Sequence, residues 1–184
     1  MRIITGLLKG RTIQVPNTLD IRPTTDRVKE GLFSVMESRR FIQNCTVLDL
    51  FAGSGNLGFE ALSRGAKSAL FVDHTRQNID LIIKLAGKFD MESQVSTAVM
   101  DVAHYLAGPT VPYDIIFADP PYPYQSVEET VKAVFDNNWL NDDGWLIFEH
   151  NKHHNFKEHP HYLFEKKYGR SFVSFFQGQP TELT

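Results

Sequence analysis

Apolar positions recur along this chain in short blocks, and their spacing changes character at two points. From Arg2 to Val15, two apolar stretches flank a Gly6 to Gly10 loop, and Thr12-Ile13-Gln14-Val15 alternates polar and apolar before Pro16. That pattern predicts a small β-hairpin. In Arg22-Pro23-Thr24-Thr25-Asp26-Arg27, Pro23 keeps Arg22 extended. Thr24 or Thr25 can cap a helix, with Asp26 favourable in its first turn. Val28, Leu32, Val35 and Met36 then recur at helical spacing and give one apolar stripe.

From Thr46 onward the blocks alternate between strand and helix patterns. Strands are expected at Thr46 to Phe51, Ser68 to Asp73, Val95 to Asp101, Asp114 to Ala118 and Gly144 to Glu149, with a final antiparallel pair at Tyr162 to Tyr168 and Phe172 to Phe176. Helices are expected from about Asn56 to Ser63, Gln77 to Lys88, Val102 to Leu106, and from a capping box at Ser126-Val127-Glu128-Glu129 to about Asn137. Gly65 is placed to end the first of these. Alternation of this kind predicts an α/β fold: a doubly wound, mostly parallel, seven-stranded Rossmann-like sheet with an N-terminal β-hairpin extension. Residues 1–184 read as a single domain, with the hairpin over 1–20, a leading helix segment over 21–45 and the α/β core over 46–184. Ligands of such sheets bind beyond the carboxyl ends of the strands, near the switch point.

Composition narrows the function classes. The 184 residues include 22 acidic and 19 basic side chains, and 42% are hydrophobic, which excludes a disordered or collagen-like chain. The single cysteine, Cys45, excludes an internal disulfide framework and a cysteine-based zinc site. Apolar runs such as Leu146 to Phe148 are too short to span a bilayer. Met1 to Gly6 shows no long apolar segment after Arg2, so no signal peptide is expected and a cytoplasmic location is. Charge is unevenly spread. Residues 1–40 hold eight Lys/Arg and four Asp/Glu, a net of +4, against a whole-chain net of -3. The remainder is therefore at -7. A basic front on an acidic body fits a nucleic-acid binder with a local footprint, or a solvated basic surface.

Candidate chemistry gathers at strand ends. Asp49, Asp73, Asp101 and Asp119 each fall within or at the end of an expected strand, a register that would line one crevice. Phe51-Ala52-Gly53-Ser54-Gly55-Asn56-Leu57-Gly58 contains G-x-G-x-x-G, which brings backbone close to a ligand at a helix N-terminus. Asp73, eighteen residues after Gly55, can hold a ribose hydroxyl pair. Asp119-Pro120-Pro121-Tyr122 is the sharper signal. Two prolines fix the backbone path and remove two donors, so adjacent carbonyls can face a pocket. With the carboxylate and an aromatic face, the segment can accept two hydrogen bonds from a planar amino group while a base stacks on the ring. The histidines His150, His153, His154, His159 and His161 show no metal-ligand spacing and read as solvated surface; no metal is expected.

These motifs resemble a known family. Asp49-Leu50-Phe51-Ala52-Gly53-Ser54-Gly55 and Asp119-Pro120-Pro121-Tyr122 are similar to the cofactor and catalytic motifs of S-adenosylmethionine-dependent amino-methyltransferases. Arg2-Ile3-Ile4-Thr5-Gly6, Lys9-Gly10-Arg11, Arg22-Pro23-Thr24-Thr25-Asp26-Arg27-Val28, Glu60-Ala61-Leu62-Ser63-Arg64-Gly65-Ala66 and Tyr168-Gly169 resemble, more closely, the bacterial RsmD family. That family methylates N2 of one guanine in 16S ribosomal RNA.

The resemblance implies a class I methyltransferase domain with S-adenosyl-L-methionine as cofactor. It implies that Asp49, Phe51, Ala52, Gly53, Ser54, Gly55 and Asn56 hold the methionine part. Asp73, with His74 beside it, would bind the ribose, and Asp101 with Val102 the adenine. Asp119 and the Pro120 carbonyl would hold the target amine, with Pro121 and Tyr122 completing the catalytic segment. Gly31, where Ala is usual, and Asn56, where small residues are usual, depart from the pattern. RNA would be gripped by Arg2, Lys9, Arg11, Arg22 and Arg27. The expected partner is ribosomal RNA or a small-subunit assembly particle, with no membrane; oligomeric state stays open. Three alternatives remain: an amino-methyltransferase acting on DNA or protein, a nicotinamide-dependent oxidoreductase built on Gly53, Gly55 and Gly58, and a non-catalytic RNA-binding protein. The oxidoreductase reading leaves Asp119 to Tyr122 without a role.

Overall fold

The computed structural model describes residues 1–16, 19, 26–38, 42–121 and 123–179. Its helices are α1 (Asp26–Ser38), α2 (Asn56–Ser63), α3 (Arg76–Lys88), α4 (Val102–Leu106) and α5 (Val127–Asp136). Its strands are β1 (Thr46–Leu50), β2 (Ser68–Asp73), β3 (Val95–Val99), β4 (Tyr113–Ala118), β5 (Leu140–His150), β6 (Tyr162–Tyr168) and β7 (Ser171–Gln177). Among the described residues they form one seven-stranded sheet in the order β3-β2-β1-β4-β5-β7-β6. Pairings among β1 to β5 are parallel, and β7 runs antiparallel to both β5 and β6. The order reverses at β1, which lies between β2 and β4.

Strand alternation sorts the core into two layers. Val47, Ala69, Phe71, Ile115, Phe117, Trp145 and Ile147 face one side, under Leu32, Phe33 and Met36 of α1 and Phe59 and Leu62 of α2. Leu48, Leu50, Val72, Ile116, Leu146 and Phe148 face the other, under Val102 and Leu106 of α4 and Val131 and Val134 of α5. At the end of α2, the Ala66 amide bonds to the Ala61 carbonyl and the Gly65 amide to that of Leu62. With Gly65 at φ +101°, this is the Schellman stop expected of that glycine.

Several expected boundaries shift. The N-terminal hairpin is an antiparallel arm in which Arg2 bridges Thr12, the Ile3 and Ile13 amides donate to the Arg11 and Met1 carbonyls, and the Gly10 amide donates to the Ile3 carbonyl. Its apolar side chains Ile3, Leu8 and Ile13 are buried in the core, so tertiary packing holds it. β1 and β3 end earlier than expected, at Leu50 and Val99, because Phe51 turns into left-handed backbone at φ +57° and Asp101 leaves the strand to cap α4. β5 begins earlier, at Leu140, with an irregularity before Trp145, and α3 begins one residue earlier, at Arg76. The Ser126 capping box is not made: Ser126 stands at the N-cap, but its side chain forms no capping bond. The expected Thr24 or Thr25 cap lies outside the described residues.

The arm has a defined course along α2. Met1 Sδ lies 3.6 Å from Ser54 Oγ at the start of that helix. The Ile4 and Thr5 amides donate to the Glu60 carboxylate at 2.8 and 3.0 Å. The Leu7 amide reaches the Ser63 carbonyl at 2.8 Å. A Cβ on Gly6 would overlap that same carbonyl, so only glycine allows the turn to sit there. The arm thus spans the length of α2, about 12 Å at 1.5 Å per residue, and its tip lies at the end away from β1's carboxyl terminus.

Candidate active site

A crevice of about 790 Å³ opens beyond the carboxyl ends of β1, β2 and β4. That size suits a nucleoside-sized ligand. Its floor is the turn between β1 and α2. Phe51, Gly53 and Gly55 all take positive φ, at +57°, +54° and +75°. For Phe51 this conformation costs on the order of 1–3 kcal/mol, and its ring is held edge-on against Tyr124 at 4.8 Å.

Three of the turn's amides are already committed, that of Ala52 to the Val72 carbonyl at 3.0 Å. The Gly53 amide donates to Asp73 Oδ2 at 2.9 Å, and the Gly55 amide to the Ala52 carbonyl at 2.7 Å. Asp73 also accepts the Thr75 amide at 2.8 Å and Asn78 Nδ2 at 3.2 Å, both on Oδ1. Its carboxylate therefore ties the end of β2 to the turn after β1.

Asp49, one residue before the end of β1, is buried and accepts the Gly58 amide on Oδ2 at 2.9 Å. A Cβ on Gly58 would overlap the Phe71 ring and press on that carboxylate, so the third glycine lets α2 close onto the sheet. Burial pushes the Asp49 carboxyl well above the usual carboxylate range; the Asp119 and Asp73 carboxylates push it further, against the Gly58 hydrogen bond. Asp101 caps α4 through Oδ1, which accepts the Ala103 and His104 amides at 2.9 and 3.3 Å.

Asp119 and Pro120 follow β4 directly, at the crevice rim. The Pro121 carbonyl accepts the Tyr124 amide at 2.9 Å, which closes a tight turn. Tyr122 lies outside the described residues.

The crevice brings together Asp49, Phe51, Ala52, Gly53, Ser54 and Asn56. On its far side it adds Asp73, His74, Asp101 and Val102, and at its rim Asp119, Pro120 and Pro121. Gly55 does not line it; it stands at the N-cap of α2. Sequence reasoning missed Tyr124, which lines the crevice and bonds through its hydroxyl to Thr130 Oγ1 at 2.7 Å. Its place three residues after Pro121 in a Pro-Tyr-Pro-Tyr run was the available signal. It also missed Met1 and Asn78, for which the chain carries no local signal.

The basic residues scatter. Arg2 is ion-paired with Asp26 at 3.1 Å. Arg27 is exposed on the first turn of α1, and Lys9 and Arg11 are exposed at the arm's tip. Arg22 lies outside the described residues. Lys29, counted in the basic front, is wholly buried against Glu60. His150 corrects the solvated-surface expectation: it is buried, with Nε2 2.8 Å from Ser174 Oγ and Nδ1 2.8 Å from the Asn151 carbonyl. Burial lowers its pKa. Among the described residues, no group of three His, Cys, Asp or Glu could hold a metal ion. None of their helices is long and apolar enough to cross a membrane.

Comparison with known proteins adds a lineage. A family model described as conserved hypothetical protein 95 matches residues 1–177. The chain is 39% identical over 150 residues to ribosomal RNA small subunit methyltransferase D of Escherichia coli strain K12, covering 81% of this chain and 74% of that protein. Among solved structures it is similar to the putative methyltransferase yhhF from Escherichia coli, with a TM-score of 0.86 and 33% identity, covering 97% of this chain and 98% of that one. An RNA methyltransferase from Salinibacter ruber in complex with S-adenosyl-L-homocysteine shares the fold, with a TM-score of 0.64 and 10% identity over 89% of this chain and 99% of that one.

Proposed function

The chain belongs to the conserved hypothetical protein 95 family, that of the ribosomal RNA small subunit methyltransferase D proteins, and from that premise we propose that it methylates the exocyclic N2 amine of a guanine in small-subunit (16S) ribosomal RNA. S-adenosyl-L-methionine is the cofactor in this reading. The observation that carries it is the meeting of the glycine turn and the Asp119–Pro121 segment at one crevice. Two neighbouring parallel strands, β1 and β4, supply these two parts.

The residues present fit such a cofactor. The crevice has room for a nucleoside, and Asp73 and Asp101 offer carboxylates for a ribose diol and an adenine amine. Asp49, Asp73 and Asp119 set negative charge around the site, and their mutual repulsion on Asp49 is relieved by a cationic ligand. When bound, S-adenosylmethionine supplies an electrophilic methyl group on a sulfonium centre.

This chain's own residues prepare the acceptor. A guanine amine is a poor nucleophile because its lone pair is delocalised into the ring. Asp119 and the Pro120 carbonyl accept its two hydrogens and favour a more pyramidal nitrogen. The Asp119 carboxylate stabilises positive charge as it grows there. The Pro121 to Tyr124 turn fixes that segment, so alignment of donor and acceptor lowers the barrier by up to about 7–11 kcal/mol. Tyr122 supplies an aromatic face to an unstacked base. Burial pushes the Cys45 thiol, with Asp114 nearby, up to about 11, and the mechanism needs no covalent nucleophile. Ribosomal RNA, or a small-subunit assembly particle, is the partner this reading names, and the cytoplasm is the compartment.

Calorimetry separates this reading from the oxidoreductase one. The chain is expected to bind S-adenosylhomocysteine and not NAD; uptake of NAD with no binding of S-adenosylhomocysteine would overturn it.

A further inference from the structure

The Asp119–Pro121 segment is a wall with a hollow on each side. One is the crevice described above. The other is a notch of about 30 Å³ bordered by Glu149, Asn151, Arg170 and Ser171 as well as by Asp119 and Pro121. That is room for a water or a single functional group.

Strand register places the first border residue. Ala118 of β4 pairs with Phe148 of β5, so Asp119 and Glu149, each the next residue, stand side by side on strands about 4.8 Å apart. Alternation puts both on the same face: Phe117 and Ile147, two residues earlier, belong to the core layer under α1. Turn geometry places the other. Tyr168 pairs with Ser171 across the β6–β7 hairpin, so the connection has two residues, with Gly169 at φ +63° and Arg170 outside the left-handed region. Glycine at the first central position is the type II′ pattern, which gives a tight, defined turn. Asn151 and Ser171 border the same notch, so this turn overhangs the carboxyl end of β5. Arg170 forms no ion pair among the described residues.

Read across the wall, these side chains run carboxylate, carboxylate, guanidinium: acceptor, acceptor, donor. The edge of guanine runs N2 amine, N1–H, O6: donor, donor, acceptor. Adenine analogues reverse the last two positions. We propose that Glu149 and Arg170 read the target base, Glu149 accepting from N1–H and Arg170 donating to O6, while Asp119 holds the N2 amine. The inference rests on the reading of the target as a guanine amine, and it makes the β5 end and the β6–β7 turn the source of base specificity.

The test uses the full chain and two synthetic RNAs that span the methylated position, mapped first with the parent on small-subunit ribosomal RNA. One RNA carries guanine there and the other 2,6-diaminopurine, which keeps the N2 amine but has an acceptor at N1 and a donor in place of O6. The parent is expected to prefer guanine strongly. Glu149→Gln, whose amide can donate to N1 of diaminopurine, is expected to lose roughly tenfold to a hundredfold in kcat/KM on guanine and to narrow the preference. Arg170→Gln, on an exposed turn, is expected to narrow it by roughly tenfold with S-adenosylhomocysteine affinity unchanged. Guanine methylation with an unaltered preference in both variants overturns this inference alone. A parent that methylates neither RNA nor ribosomal RNA overturns the underlying reading, and this inference with it.

Discussion

Lys29 and Glu60 form an ion pair at 3.2 Å with both side chains sealed from solvent. Lys29 Nζ also donates to the Arg2 carbonyl at 2.6 Å and to Asn56 Oδ1 at 2.8 Å, while Glu60 accepts two amides of the arm and Arg64 Nε. One buried network therefore joins the arm, α1 and the helix that follows the glycine turn. Burial lowers the Lys29 pKa, against the opposing pull of Glu60. Removing the ammonium leaves a buried carboxylate with fewer partners. Lys29→Met is expected to cost about 3–5 kcal/mol of stability. Urea unfolding checks this, and a cost below about 1 kcal/mol would mean that the network contributes little.

Asp73 has two tasks in this account, cofactor binding and organisation of the turn. Its carboxylate accepts the Gly53 and Thr75 amides and Asn78 Nδ2. Asp73→Ala is expected to weaken cofactor binding by at least tenfold and to lower stability by about 1–3 kcal/mol, since buried donors lose their acceptor. Calorimetry paired with thermal unfolding reads both effects. Unchanged cofactor affinity would reduce Asp73 to a structural tie.

Asp49 predicts a pH dependence. Its pKa in the folded chain lies above the ordinary carboxylate range, so the native state binds the extra proton between the two values. Stability from this group is therefore present below the ordinary range and is lost as pH rises through the raised value. Asp49→Asn is expected to flatten that loss in a pH series of unfolding curves. A cationic ligand draws the proton off, so S-adenosylmethionine affinity should rise with pH through the same window more steeply than that of neutral S-adenosylhomocysteine. Parallel pH profiles for the two ligands would contradict this.

The basic arm makes a separable prediction. Lys9 and Arg11 are exposed at the tip, at the far end of α2 from the glycine turn. If they hold RNA, replacing both with Ala weakens RNA binding and flattens its salt dependence by roughly 0.7 per lost phosphate contact on single strands. Cofactor affinity should not move. Binding and a salt slope equal to the parent's would place the RNA surface elsewhere.

Much of this was legible in the chain because local and global signals agree. The buried strands announce themselves as apolar runs bounded by turn residues, and Gly65 ends α2 in the expected way. The four aspartates reach one crevice because parallel strands share a carboxyl edge. What stayed hidden depends on tertiary packing. Lys29 reads as surface charge, yet Glu60, thirty-one residues later, neutralises it inside. His150 reads as one of a solvated histidine cluster, yet it ends β5, whose inward face fixes its burial. Alternation in residues 12–15 announces the hairpin, but not that Ile3, Leu8 and Ile13 bury it against the core.

The central claim is that Asp119 activates a guanine amine at this crevice. Its most direct test is incubation of small-subunit ribosomal RNA with labelled S-adenosylmethionine and the parent chain or Asp119→Ala, followed by nucleoside analysis. The account predicts label in N2-methylguanosine with the parent, and a rate about 10²–10³ lower with Asp119→Ala at unchanged cofactor affinity. Label in a different nucleoside, or near-parental turnover by Asp119→Ala, would contradict it.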